Sequence, residues 1–216
     1  MVEGRGDLYD RRVNEGIKLG ATAFVLAGGK SSRMGSDKAF LRLGDETLLS
    51  QALKLASAVA EEVWIVGDAK KFGTFGRVVE DVYRERGPLG GIHAALSGST
   101  TEVNLMLAVD LPFVTQKLLQ YLLSQALESG AMVTVPRTGS GFQPLCAVYR
   151  RGFAEVAERS LLEGKNKIDS LFARVETCVI EESELVRLGF SGEMFRNLNT
   201  PEELEKAKEV RSGMGC

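Results

Sequence analysis

The apolar run over residues 21–27 stops at Gly28-Gly29, and no other stretch of the chain narrows its folds so sharply. A short apolar run closed by a glycine pair reads as a buried strand ending at a turn. Beyond it, helical and strand patterns take turns. Leu49, Ala52, Leu53, Ala56 and Val59 fall at helical spacing and predict an amphipathic helix over 47–60. Residues 63–66 predict a second strand, Val78-Val79 a short third, and Gly87-Pro88 opens a helix carrying Leu89, Ile92 and Leu96. The apolar run 105–109 predicts a fourth strand that ends abruptly at Asp110. Thr115 caps a helix with Leu118, Leu119, Leu122, Leu123 and Ala126 on one face.

Further on, residues 131–135 predict a strand closed by Pro136, 137–142 a mobile turn, and 144–149 a returning strand. A helix over 153–162 comes next, then a short helix and a strand within 167–184. Thr200-Pro201-Glu202-Glu203 marks a helix start, with Thr as cap and Glu203 closing a capping box. Strands alternating with helices imply an α/β fold, a doubly wound and mostly parallel sheet with helices on both faces. Residues 21–216 are expected to form one domain, and the charged, Gly-rich residues 1–20 a loosely ordered tail.

Lys plus Arg (27) nearly balances Asp plus Glu (29), which argues against a nucleic-acid partner but leaves room for a local phosphate site. One histidine and the scattered Cys146, Cys178 and Cys216 do not supply a zinc site, and an odd cysteine count fits the reducing cytoplasm. Residues 1–20 lack the apolar centre of a signal peptide, and the longest apolar runs are too short to span a membrane.

Chemistry concentrates in residues 26–38. Directly after a buried strand, this loop lies at the carboxyl end of the sheet, where ligands of such folds bind. Gly28, Gly29 and Gly35 let main-chain amides approach an anion; Ser31 and Ser32 add hydroxyls; Lys30, Arg33 and Lys38 add charge. It is not a Walker A loop, because the leading glycine would fall at Phe24. Nor does it carry the G-x-G-x-x-G of a dinucleotide fingerprint. The concentration of donors favours a phosphate cradle over a glycine-rich turn with solvated basic residues. Asp110, at the end of its apolar strand, stands on the same rim beside the first strand and either caps the following turn or holds magnesium jointly with substrate phosphates. Glu80-Asp81, ahead of Gly90-Gly91, is either a solvated pair or the acceptor for a base or ribose. His93 reads as a packed or surface residue rather than a catalyst.

The pattern L-A-G-G-x-S-x-R-M-G-x-D-K over 26–38 resembles the signature loop of molybdenum cofactor guanylyltransferases. The likeness continues through Val79-Glu80-Asp81, Gly87-Pro88-Leu89-Gly90-Gly91, Asp110-Leu111-Pro112, Gln143-Pro144-Leu145 and 197–203. It implies a Rossmann-like nucleotidyltransferase fold and transfer of GMP from GTP to the phosphate of molybdenum-loaded molybdopterin, with release of pyrophosphate. It further implies that Leu26, Ala27, Gly28 and Gly29 bind the nucleotide and that Lys38 holds its phosphates, with Arg33 beside it. Asp81 would contact the guanosine, Asp110 would bind Mg2+, and Asn197 and Asn199 would face the pterin. A molybdoenzyme or chaperone would receive the product. Gly67-Asp68 departs from members that carry an asparagine after the second strand. Rival readings are a cytidylyltransferase, a sugar-phosphate nucleotidyltransferase and a GTP-binding regulatory module without turnover.

Overall fold

The computed structural model describes residues 19–28, 37–83, 86–200 and 202–206. In chain order the strands are β1 (Leu19–Leu26), β2 (Arg42–Leu43), β3 (Glu46–Thr47), β4 (Ala60–Val66), β5 (Arg77–Val79), β6 (Val103–Ala108), β7 (Val133–Thr138), β8 (Gly141–Phe142), β9 (Cys146–Arg150) and β10 (Thr177–Glu181). The helices are α1 (Leu48–Ser57), α2 (Ala69–Phe72), α3 (Pro88–Gly98), α4 (Gln116–Ser129), α5 (Phe153–Leu162), α6 (Asp169–Phe172) and α7 (Glu182–Arg187). Residues 1–18 of the expected tail lie outside the described residues, and its last two, Leu19 and Gly20, belong to β1.

The main sheet runs β10-β7-β9-β6-β1-β4-β5, with β8 added to β7, and β2 and β3 form a separate hairpin. The pairs β5/β4, β4/β1, β1/β6 and β7/β10 are parallel, whereas β9 runs antiparallel to both β6 and β7. The first and fourth large-sheet strands are therefore neighbours, as the doubly wound order requires.

Alternation along the strands divides the core. Ala23, Val25, Ile65, Leu105 and Leu107 face α1 and α4, which contribute Leu49, Ala56, Leu118 and Leu122. Phe24, Leu26, Trp64, Val66 and Met106 point the other way, against Leu89, Ile92 and Leu96 of α3 and Phe153 and Ala157 of α5. Period-two alternation feeds both layers, so β1 has to be apolar on each face. Fully burying a Leu or Phe contributes roughly 1.5–3 kcal/mol, so the two helical layers lock the sheet's position.

The boundaries reflect local chemistry. Thr47 caps α1, its hydroxyl accepting from Ser50 N at 3.1 Å. That helix ends at Ser57, short of the expected 60, because Ala60 already pairs with Leu19 in β4. Thr115 caps α4 as expected. β7 does not stop at Pro136. It continues to Thr138, and 137–142 form a hairpin with β8 instead of a free turn. Proline fits there because β7 leaves β9 after Thr134; the Pro136 carbonyl accepts from Gln143 N, and no ladder amide is needed. Among the described residues no helix is long and apolar enough to cross a membrane.

Candidate active site

Three parallel strands end level with one another. Leu26 pairs with Val66 on one side and Ala108 on the other. Past that line the chain of β1 bends over β4: Ala27 N and Gly28 N both donate to the Val66 carbonyl, at 3.0 and 3.1 Å. On the opposite side Val109 N donates to the Leu26 carbonyl at 3.1 Å. Gly28 and Asp110 therefore stand on the same rim. An open cavity of about 1160 Å³ lies beyond it, lined by Gly28, Lys38, Asp81, Gly91, Asp110 and Leu145 among others.

Lys38 begins a 3-10 turn (Lys38–Phe40) whose cap is Asp37, its carboxylate accepting from Ala39 N at 3.2 Å. A Lys71–Asp37 ion pair at 3.2 Å ties this turn to α2. The Lys38 ammonium lies 2.9 Å from Asp110 Oδ2, with the two side chains 19% and 17% exposed. It also donates to Asn199 Oδ1 at 2.6 Å. A partly buried ion pair at a cavity mouth keeps more of its Coulomb attraction than a surface pair, and both partners remain reachable by a ligand.

Asp81 comes after β5 and lines the same cavity. Its Oδ1 accepts from Tyr83 N at 2.7 Å. The carboxylate lies against Gly90 in the first turn of α3, where an added Cβ would stand 2.5 Å from Oδ2 and 2.7 Å from Oδ1. A side chain at 90 would therefore displace the acid at 81. The adjacent Glu80 is occupied differently, accepting from Ala69 N at 3.1 Å.

Gly67-Asp68 has a structural cause. A Cβ at 67 would meet the Phe72 ring at 2.7 Å, and the Asp68 carboxylate caps α2 by accepting from Lys70 N at 2.8 Å. His93 is a packed residue. Its Nε2 lies 3.2 Å from Ser97 Oγ, and the Tyr83 ring meets it edge-on, centroids 5.0 Å apart.

Of the sequence candidates, the structure gathers Leu26, Ala27, Gly28, Lys38, Asp81 and Asp110 around one cavity. Gly29 and Arg33 lie outside the described residues. Asn197 is exposed, whereas Asn199 reaches the Lys38 ammonium. That contact was not readable from the sequence, and neither was the role of Glu203 in fixing it. Oε2 of Glu203 accepts from Asn199 N at 2.6 Å and Thr200 N at 3.0 Å. The capping box itself was readable; the direction of its preceding side chain was not. Among the described residues no group of three or more His, Cys, Asp or Glu is placed to hold a metal ion. Asp110 alone fits a cation that arrives with its own phosphate and water ligands, since Mg2+ commonly takes only one or two protein carboxylates.

The family model of the MobA-like NTP transferase domain matches residues 23–178. A probable molybdenum cofactor guanylyltransferase from Pelotomaculum thermopropionicum is 39% identical over 88% of this chain and 93% of its own length. A molybdenum cofactor guanylyltransferase from Desulfosudis oleivorans is 34% identical over 87% of this chain and 94% of its own. Among solved structures, molybdopterin-guanine dinucleotide biosynthesis protein A from Archaeoglobus fulgidus superposes with a TM-score of 0.78 at 27% identity, covering 89% of this chain and 100% of that one. The chain belongs to the MobA-like NTP transferase family and is a nucleotidyltransferase.

Proposed function

We propose that this protein is a molybdenum cofactor guanylyltransferase, which transfers GMP from GTP to the phosphate of molybdenum-loaded molybdopterin and releases pyrophosphate. One observation carries the reading: Lys38 and Asp110 meet at 2.9 Å on the rim where the turn after β1 opens. A cation and a carboxylate so placed suit a metal-bound triphosphate, and an oxidoreductase has no need of the pair. The sequence likeness to the named guanylyltransferases supports the choice of nucleotide and acceptor.

In this reading a phosphate oxygen of the pterin attacks the α-phosphorus of GTP in line. The new phosphoanhydride bond forms as the bond to the β-phosphate oxygen breaks, and the electron pair leaves with pyrophosphate. The nucleophile is already anionic, so no general base is required. The protein's task is to bring two anions together and stabilise the charge that moves. Lys38, joined by Arg33 and the amides of Gly28 and Gly29, turns from Asp110 to the triphosphate while Asn199 keeps its hold on the ammonium. Asp110 would hold Mg2+, which when bound neutralises phosphate oxygens. Asp81 accepts from the N1 and N2 hydrogens of guanine, an arrangement that cytosine lacks. Leu26 and Ala27 contact the nucleotide through main chain, and the pterin lies toward Asn197 and Asn199. One domain carries the whole reaction, in the cytoplasm, and passes its product to a molybdoenzyme or chaperone.

The test is magnesium-dependent pyrophosphate release from GTP and from CTP, with and without molybdenum-loaded molybdopterin. Lys38→Ala and Asp110→Ala are each expected to lower turnover by about a hundredfold or more, as loss of one preorganised charge-stabilising group does elsewhere. Near-normal turnover in both folded variants removes the pair from the reaction. A preference for CTP moves the protein to the cytidylyl class.

A further inference from the structure

The C-terminal capping box reaches into the site. Leu198 is fully buried in the core on the α1/α4 side, and its amide donates to the Asp110 carbonyl at 3.0 Å. Next to it, the Asn199 and Thr200 amides both converge on Glu203 Oε2, at 2.6 and 3.0 Å, while Glu203 N donates back to Thr200 Oγ1 at 3.2 Å. Leu204 is buried beside them. Residues 198–200 are thus pinned through Leu198 and braced by the Glu203 carboxylate. Asn199 has little backbone freedom left, and its side-chain oxygen takes the Lys38 ammonium at 2.6 Å.

We infer that Glu203 and Asn199 are positioning residues for Lys38: Glu203 fixes the Asn199 backbone, and Asn199 holds the Lys38 ammonium in register with Asp110. The placement matters because a lysine side chain has four rotatable bonds, and Asp110 alone restrains it from one direction only. A second acceptor, Asn199, keeps the ammonium at the cavity when it turns from Asp110 to the phosphates. Pre-orienting Lys38 lowers the reorganisation needed when the triphosphate arrives, so the effect falls on turnover more than on ground-state binding. A stabilising helix cap with no link to Lys38 would alter unfolding instead and leave the kinetics of folded protein alone.

This inference rests on Lys38 serving the transfer reaction proposed above, and the experiment separates the two. Turnover and KM for GTP are measured for Glu203→Ala, Glu203→Gln, Asn199→Ala, Lys38→Ala and the double variant Lys38→Ala/Glu203→Ala, with thermal unfolding of each. Glu203→Ala and Asn199→Ala are expected to lower kcat by about tenfold to a hundredfold with little change in KM, the scale of a small misplacement of a reacting group. Glu203→Gln, whose side-chain oxygen still accepts from both amides, restores most of the loss. In the Lys38→Ala background Glu203→Ala costs nothing further, because residues acting through one group are not additive.

Full kcat in folded Glu203→Ala beside a collapsed Lys38→Ala overturns the inference and leaves the proposed function standing. The inference also fails if the Glu203→Ala loss is equally large in both backgrounds, or if it emerges only near the unfolding temperature. Near-normal turnover in Lys38→Ala overturns the proposed function itself.

Discussion

A single methyl group at position 90 sets two effects of similar size against each other. Gly90 is the third residue of α3, and a glycine-to-alanine change in a helix is ordinarily favourable by up to about 1 kcal/mol. Here the new Cβ would stand 2.5 Å from Asp81 Oδ2. To reach the 3.4 Å at which ordinary contact begins, the carboxylate retreats by about 0.9 Å. Asp81 cannot make that move and keep its 2.7 Å hydrogen bond from Tyr83 N. A partly exposed bond of this kind contributes on the order of 1 kcal/mol. The two effects nearly cancel, and the melting temperature of Gly90→Ala is expected to stay within about 2–4 °C of the parent.

Nucleotide choice has no such compensation. If the Asp81 carboxylate reads two guanine hydrogens, displacing it forfeits a paired contact worth roughly 1–3 kcal/mol of discrimination. At about 1.4 kcal/mol per tenfold, the ratio of kcat/KM for GTP to that for CTP falls by about fivefold to a hundredfold. Steady-state pyrophosphate release with each nucleotide measures it, with Asp81→Ala as the reference. An unchanged ratio together with a raised melting temperature rules this account out, since the helix gain would then stand unopposed and the carboxylate would have no part in selecting the base.

Two further predictions concern stability. Gly67→Ala places a Cβ 2.7 Å from the Phe72 ring, which is buried, and is expected to cost about 1–3 kcal/mol; a parental urea midpoint would show that the ring moves aside freely. Burial pushes the Cys146 thiol from 9.0 up to about 12, so the unfolded chain ionises there first. Stability tied to this thiol is complete below pH 9 and drains as pH rises toward 12, by as much as about 1.4 kcal/mol per pH unit. Urea midpoints across this window should decline less steeply for Cys146→Ala, and equal slopes would count against the assignment.

Features encoded locally were legible in the sequence. The run ending at Gly28 announced β1, Thr47 and Thr115 announced their helices, and Asp110 announced the end of β6, because strand burial and capping are short-range chemistry. β4 looked shorter than it is because Glu61 and Glu62 are exposed within it and break its apolar run. β7 looked shorter because proline usually ends a strand, and whether its missing amide matters depends on a neighbour far away in sequence. β2 and β3, two residues each, present no periodicity to detect. At the site, each charged group was legible alone, but the partners of Lys38 were not. Asp110 is 72 residues away and Asn199 is 161.

Those separations explain why the site needs this sheet. Residues 28 and 110 line one cavity because β1 and β6 are adjacent, parallel and end together at Leu26 and Ala108. A shift of one residue in that pairing would move every side chain of β6 to the opposite face, exchanging Leu105 and Leu107 with Met106 between two differently shaped layers. The core therefore specifies the register, and the register specifies how far Asp110 stands from the turn after β1. Lys38 does not share that support, since it sits on a 3-10 turn rather than a strand. Ala39, fully buried in the core, and the Phe40–Phe72 ring stack anchor the turn together with Asp37 and Lys71, while Asp110 and Asn199 hold the ammonium. The carboxylate of the pair is thus placed by strand register, and the ammonium, at the end of a long side chain, by polar contacts. This division leaves Lys38 free to leave Asp110 for an incoming triphosphate while the acid stays where the sheet put it.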